Sequence, residues 1–204
     1  MPALLLSWCV GVHRLMASGG VVSFLHDGRA PDVATALTNA HGTGSMHELQ
    51  LVREAIQGDV VSRFARVILP IGLAQVLLAG LLVVACGLAM GGRRTARSLL
   101  LQALAANLAF TAVAYALTLA ARGAFVDTLS HAATDLADIP LPGGAKAGEA
   151  LRAPILWASL RFYFVAFGLA PPALAILAFT RPRARAYFDA AAQVAERAEE
   201  EEEP

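Results

Sequence analysis

Long uncharged stretches alternate along this chain with short segments that carry arginine. Val67 to Met90 has no charged residue and ends on Gly91-Gly92-Arg93-Arg94; Ser98 to Ala121 is uncharged between Arg97 and Arg122. Phe162 to Thr180 is uncharged between Arg161 and Arg181 and follows the apolar Ile155 to Leu160. Crossing a hydrocarbon core of about 30 Å takes roughly 20 apolar residues at a rise of 1.5 Å each, so each stretch predicts a transmembrane helix. Met1 to Leu25 is also apolar but is interrupted by His13 and Arg14. A spanning or half-spanning first helix is expected there. The alternatives are a signal-like segment cleaved near Ala17-Ser18-Gly19, or translation starting at Met16.

Between these stretches the pattern turns amphipathic. Pro31 suits a first helical position and Gly42 a stop, which predicts a short helix over Pro31 to Ala40. Ser45-x-x-Glu48 reads as a capping box. After it Leu49, Val52, Ile56, Val60, Phe64 and Val67 recur every three or four residues, with Arg53, Glu54, Gln57, Asp59 and Arg63 on other faces. Such a helix should lie on the membrane or on its neighbours, with an Asp59–Arg63 pair at i,i+4 and a bend near Pro70. Phe125, Leu129, Ala132 and Leu136 mark another apolar face, and Pro140-Leu141-Pro142-Gly143-Gly144 ends it. Beyond Arg181-Pro182-Arg183, Ala184 to Ala198 favours helix, with Tyr187, Phe188, Ala191 and Val194 able to meet the bilayer surface or a partner.

The fold class that follows is an all-α integral membrane protein: a small helical bundle with three transmembrane helices, a fourth less clear, and amphipathic helices outside. Its segments are 1–25, the first transmembrane helix or signal-like segment; 26–66, an extracytoplasmic short helix plus an amphipathic one; 67–121, a transmembrane hairpin; 122–153, an extracytoplasmic helix and a Pro/Gly loop; 154–181, a transmembrane helix; and 182–204, a cytoplasmic amphipathic helix and acidic tail.

Composition agrees with this plan. Of 204 residues 57% are hydrophobic and 16% charged, against the about 25% charged that is usual in soluble domains. Sixteen basic and sixteen acidic residues cancel, which leaves no electrostatic footprint for nucleic acid. The acids crowd into Glu196 and Glu199 to Glu203, so the body is net positive. Arg93, Arg94 and Arg97 fall on the same side of the membrane as Arg181, Arg183 and Arg185 if the helices alternate, and arginine near span ends marks the cytoplasmic side. The expected location is the inner (plasma) membrane of a bacterium, multipass, with the C-terminus cytoplasmic. Cys9 and Cys86, both inside apolar runs, are expected as small buried hydrophobes.

Candidate chemistry is sparse. Asn107, Thr111, Ala114, Thr118 and Ala121 form one stripe of the middle span, and Ala105, Ala109, Ala112, Ala116 and Ala120 a second. Small residues let helices approach closely, and buried amides and hydroxyls bond across them. Gln75 on the preceding span is a further contact candidate. Gln75, Asn107, Thr111 and Thr118 are thus helix-packing residues or, alternatively, the lining of a conduction path. Arg161, beside Trp157, Tyr163 and Phe164, either snorkels to the headgroups or binds an anion or lipid headgroup. Pro171 and Pro172 break the backbone ladder and are hinge candidates. Asp127, His131, Asp135 and Asp138, at spacings of four, four and three, share one helix side; they form a solvated face or, at the sharpest, a divalent-cation or pH-sensing site.

Enzyme motifs fail. Asp27-Gly28-Arg29-Ala30 misses by one residue the Asp-Gly-x-x-Ala-Arg opening of the CDP-alcohol phosphatidyltransferases, and the later paired aspartates are missing. His41-Gly42-Thr43-Gly44-Ser45 makes neither a nucleophile elbow nor a phosphate loop, and His41 and His47 lack zinc-protease spacing. The expected role is a non-enzymatic accessory or scaffold subunit without a cofactor, whose partners are membrane lipids and itself or other membrane proteins. The alternative is a small homo-oligomeric transporter or channel.

Overall fold

The structure, a computed structural model, describes residues 2–27, 33–40, 46–91, 95–135 and 146–202. The described residues are nearly all helical and include no strand. In chain order the helices are α1 (Pro2–Asp27), α2 (Val33–Ala40), α3 (Met46–Arg63), α4 (Ala65–Met90), α5 (Ala96–Leu117), α6 (Leu119–Asp135), the single-turn α7 (Ala147–Ala150) and α8 (Ala153–Tyr163). A π-helical turn over Phe164–Leu169 leads into α9 (Ala170–Thr180), and α10 (Pro182–Glu202) follows. Four helices are long and apolar enough to cross a membrane: Leu4–Ser23 within α1, α4, α5, and the run Ala153–Thr180. α1 passes unbroken through His13 and Arg14.

The chain divides into two compact units, 1–21 with 71–114 and 165–204, and 22–70 with 115–164. In the first, α1 and α4 turn a small or polar stripe inward and many of their bulky apolar residues outward, whereas α5 and α9 bury Leu100, Leu104 and Phe179. On α1 the buried positions are Leu4, Ser7, Gly11 and Arg14, at spacings of three and four, while Leu5, Trp8, Leu15 and Met16 are exposed. On α4 Gly72, Ala79, Ala85, Cys86 and Ala89 are buried beside Leu82, and Leu73, Leu77, Leu81 and Val84 are exposed. Small inward residues let backbones approach: a Cβ added at Gly11 would lie 3.0 Å from Val83 Cγ2. The core closes with Leu100 and Leu104 of α5 and Ala175 and Phe179 of α9. Phe188 of α10 also joins it, its ring 6.0 Å from that of Phe179. Phe188 therefore turns inward, while Tyr187 and Val194, expected on the same face, stay exposed. The Arg97 guanidinium donates to the Phe179 carbonyl from Nε and Nη2 (3.3 and 3.1 Å), satisfying one of the orphan acceptors at the α9 C-terminus.

In the second unit α3 is amphipathic, with its apolar stripe buried and its charged residues exposed. Val52, Ile56 and Val60 of α3 are buried against Leu129 and Ala132 of α6, with Val33 and Ala36 of α2 packed at the side. Arg53, Glu54, Gln57 and Arg63 of α3 are exposed. Asp59 and Arg63 form the expected pair, Nη2 to Oδ2 2.7 Å. Helix α3 gives way to α4 at Phe64, and Pro70, where a bend is expected, sits inside α4. The Phe64 carbonyl accepts from both Val67 and Ile68 N–H (2.9 Å each), a tightened turn of the kind that closes helix ends. Pro31, Gly42, the Ser45–Glu48 capping box and the Pro140–Gly144 loop lie outside the described residues or side chains.

Cys86 is buried as expected, but Cys9 is exposed. It lies off the Leu4–Ser7–Gly11–Arg14 stripe that defines the inner face of α1, so the apolar run around it points outward.

Candidate functional site

The strongest polar feature of the first unit is Arg14, buried at 8% relative exposure among apolar helices. Burying a cation without compensation is costly, and the surrounding helices supply neutral acceptors. Nη1 donates to Thr111 Oγ1 (2.9 Å) and to Asn107 Oδ1 (3.3 Å), with the Asn107 carbonyl at 3.5 Å. Nη2 donates to the carbonyl of Gly168.

That last acceptor is available because of sequence far from Arg14. In an α-helix the Gly168 carbonyl would accept from the N–H of residue 172, and the Phe167 carbonyl from that of residue 171. Both positions are proline, which has no N–H. The helix answers with the π turn over Phe164–Leu169 and restarts as α9, with the proline pair in its first turn, where an N–H has no intrahelical partner in any case. Arg14 takes up the released Gly168 carbonyl. Pro171 and Pro172, expected as hinges, thus create one of the acceptors that makes a buried arginine tolerable.

Asn107, fully buried, is the centre of the cluster. Its Oδ1 accepts from Arg14, its Nδ2 donates to the Leu78 carbonyl of α4 (3.0 Å) and to the Ala103 carbonyl (3.0 Å), and its own carbonyl accepts from Thr111 Oγ1 (2.6 Å). The amide has used both ends, tying α5 to α1 and α4. Gln75, the other amide expected at this interface, is half-buried a turn away on α4 and outside this network. The arrangement is a static charge clamp: an arginine does not give up its proton in proteins, and its partners are neutral groups without acid or nucleophile.

Thr118 is not part of this cluster. It lies just beyond the end of α5, in the second unit, where its Oγ1 donates to the Tyr115 carbonyl (3.3 Å) and accepts from Arg122 Nε (3.2 Å). The Arg122 guanidinium carbon stands 4.5 Å from the Tyr115 ring centroid. Burial holds this guanidinium below the usual arginine range, with the Tyr115 phenol opposing the shift. Arg161 is exposed, its guanidinium 5.9 Å from the Trp157 ring centroid.

Of the acidic stripe, Asp127 and His131 are exposed on α6, and His131 Nδ1 lies 2.6 Å from the Asp127 carbonyl. The Asp135 side chain and Asp138 lie outside what the structure describes. Among the described residues no three His, Cys, Asp or Glu side chains cluster to hold a metal.

Sequence reasoning treated Arg14 only as an interruption of the first span. The signal that could have found it was the inward stripe Leu4, Ser7, Gly11, Arg14, which aligns the arginine with the helix face that carries small and polar side chains. Comparison with known protein families, curated proteins and solved structures finds no match to this chain.

Proposed function

We propose that this chain is a multipass membrane protein of the bacterial inner membrane, its C-terminus cytoplasmic, with a non-enzymatic accessory or scaffold role: it associates with other membrane proteins, or with a second copy of itself, through its helix faces. The observation that carries this reading is how α5 divides its two stripes. Asn107 is buried and Thr111 half-buried, whereas Ala105, Ala109, Ala112 and Ala116 are all exposed, as is Ala120 beyond the helix end. A face of small residues left uncovered on an apolar helix is the kind of surface that transmembrane helices use to pack together. The exposed Leu73, Leu77 and Val84 of α4 would be an aggregation hazard in water and suit contact with lipid.

The transporter reading needs Asn107 and Thr111 to line a path. Their polar atoms are engaged with Arg14, Leu78 and Ala103, which favours the packing role. The test is the mass of the particle isolated with its native lipids, for the unaltered chain and for Ala109→Phe and Ala112→Phe. The scaffold reading expects a complex that both substitutions dissociate while the monomer stays folded. A closed homo-oligomer whose ion or solute flux depends on Asn107 would overturn it.

A further inference from the structure

A groove of about 300 Å³ opens within the second unit, walled by α3, the start of α4, α6 and α8, with Thr118 at the α5–α6 junction. Two arginines line it from different helices, Arg53 of α3 and Arg122 of α6, and none of the described residues that line it is acidic. The Arg53 side chain makes no hydrogen bond or ion pair among the described residues. Among the described residues Arg122 has only its Nε committed, to Thr118, and its face stacked toward Tyr115. The Nη groups of both therefore remain as donors. Gln57 and Thr118 add polar atoms near them, and the rest of the wall is apolar, including Ile68, Phe125 and Leu160.

Two guanidinium forks with no ion-pair partner among the described residues, beside an apolar wall, fit one chemistry, an amphiphile whose head is a phosphate or carboxylate. Arginine forks match such oxyanions in bidentate fashion, and the volume is at the small end of ligand sites, enough for a headgroup and the start of a chain. The position selects between sources. Arg122 follows the end of the apolar helix α5 by little more than one turn, at the depth where headgroups begin, while Ile68 and Leu160 belong to apolar helices long enough to cross the bilayer. Basic pockets among transmembrane helices at this level are where anionic lipid headgroups bind.

We infer that this groove holds one anionic phospholipid, its headgroup phosphate between Arg122 and Arg53 and an acyl chain along Ile68, Phe125 and Leu160. The inference rests on the reading of the chain as membrane-spanning. Binding does not require the scaffold role, and it extends the expected contact with lipid to a defined site on residues other than Arg161.

The experiment reconstitutes the full chain in phosphatidylcholine nanodiscs that carry a minor fraction of phosphatidylglycerol and counts, by native mass spectrometry, the lipids that leave with the protein. The expected result is one phosphatidylglycerol retained over the phosphatidylcholine excess, and roughly tenfold or weaker retention in Arg53→Gln/Arg122→Gln. Arg53→Lys/Arg122→Lys keeps the charge but not the fork and is expected to retain less than the unaltered chain and more than the double glutamine variant. Arg53→Gln alone, at an exposed position, leaves the fold unchanged and still weakens retention. A double glutamine variant that enters the disc and retains phosphatidylglycerol as the unaltered chain does overturns the inference. So does displacement of the lipid by glycerol phosphate at similar concentration, which would mark the site as one for a soluble anion. A chain that fails to enter nanodiscs at all overturns the membrane reading itself, a distinct result.

Discussion

Helices α1 and α4 of the first unit and α3 of the second follow opposite burial patterns. In the first, α1 and α4 bury glycine, alanine, serine and an arginine and expose Leu5, Leu73, Leu77 and Val84; in the second, α3 buries Val52, Ile56 and Val60 and exposes Arg53, Glu54 and Gln57. On the proposed reading, in which α1 and α4 cross a membrane, the difference is one of solvent. Where the surroundings are hydrocarbon, a large apolar side chain gains nothing by turning inward, and helices associate through small residues and hydrogen bonds. Where they are water, the same side chain gains about 25 cal/mol for each Å² it hides. The arginines follow the same division. Arg14 is paired with helix carbonyls, an amide and a hydroxyl, whereas Arg53 and Arg122 line a groove none of whose described lining residues is acidic.

The comparison can be broken most severely at the Arg14 cluster. Asn107→Leu leaves a buried cation short of acceptors and should cost about 3 kcal/mol or more, read as unfolding of the lipid-solubilised protein in rising dodecyl sulfate. Arg14→Leu removes the charge with its demand and leaves orphaned acceptors, about 1–3 kcal/mol. Because both act on one network, the double variant should cost less than the sum, with a coupling of about 1 kcal/mol or more. Strict additivity would show that the cluster is not a functional unit of the fold.

The next contrast uses two exposed leucines. Leu77→Asp at the middle of α4 should cost about 3 kcal/mol of membrane insertion, measured as the inserted fraction in a translocation assay. Leu51→Asp on α3 should leave insertion unchanged and stability within about 0.5 kcal/mol. Equal effects at the two sites would erase the distinction between the units.

Smaller effects test the packing. Gly11→Val forces a side chain against Val83 and should destabilise by about 1–3 kcal/mol; an unchanged dodecyl sulfate midpoint would show that α1 does not need close approach to α4. Arg97→Ala removes the cation that caps α9 at Phe179 and should cost about 1 kcal/mol, with faster amide exchange confined to the last turn of α9.

Much of this was legible because it is periodic or local. Uncharged runs marked the apolar helices, the spacing of Val52, Ile56 and Val60 marked the buried face of α3, and i,i+4 spacing marked Asp59 with Arg63. Asn107 and Thr111 stood out as polar residues in an apolar run. What was not legible was who they serve. Arg14 reaches acceptors 93, 97 and 154 residues away in sequence, and no period connects them. The proline pair marks a break in the backbone ladder, but the group that takes up the Gly168 carbonyl comes from another helix. The outward face of α1 is equally hidden in the sequence, since a helix that is apolar outside and small inside reads as evenly apolar, and the exposure of Cys9 has no periodic signal.

The most direct measurement of this account is the reactivity of single cysteines at two leucines, Leu51→Cys and Leu77→Cys, in native membranes after Cys9 and Cys86 are replaced by alanine, with a membrane-impermeant maleimide applied to both sides. Leu51 and Leu77 are 44% and 74% exposed, so protein packing alone would make the second the more reactive. The account expects the reverse: rapid labelling at 51 and almost none at 77, because hydrocarbon covers α4. Labelling at 77 as fast as at 51 would contradict it.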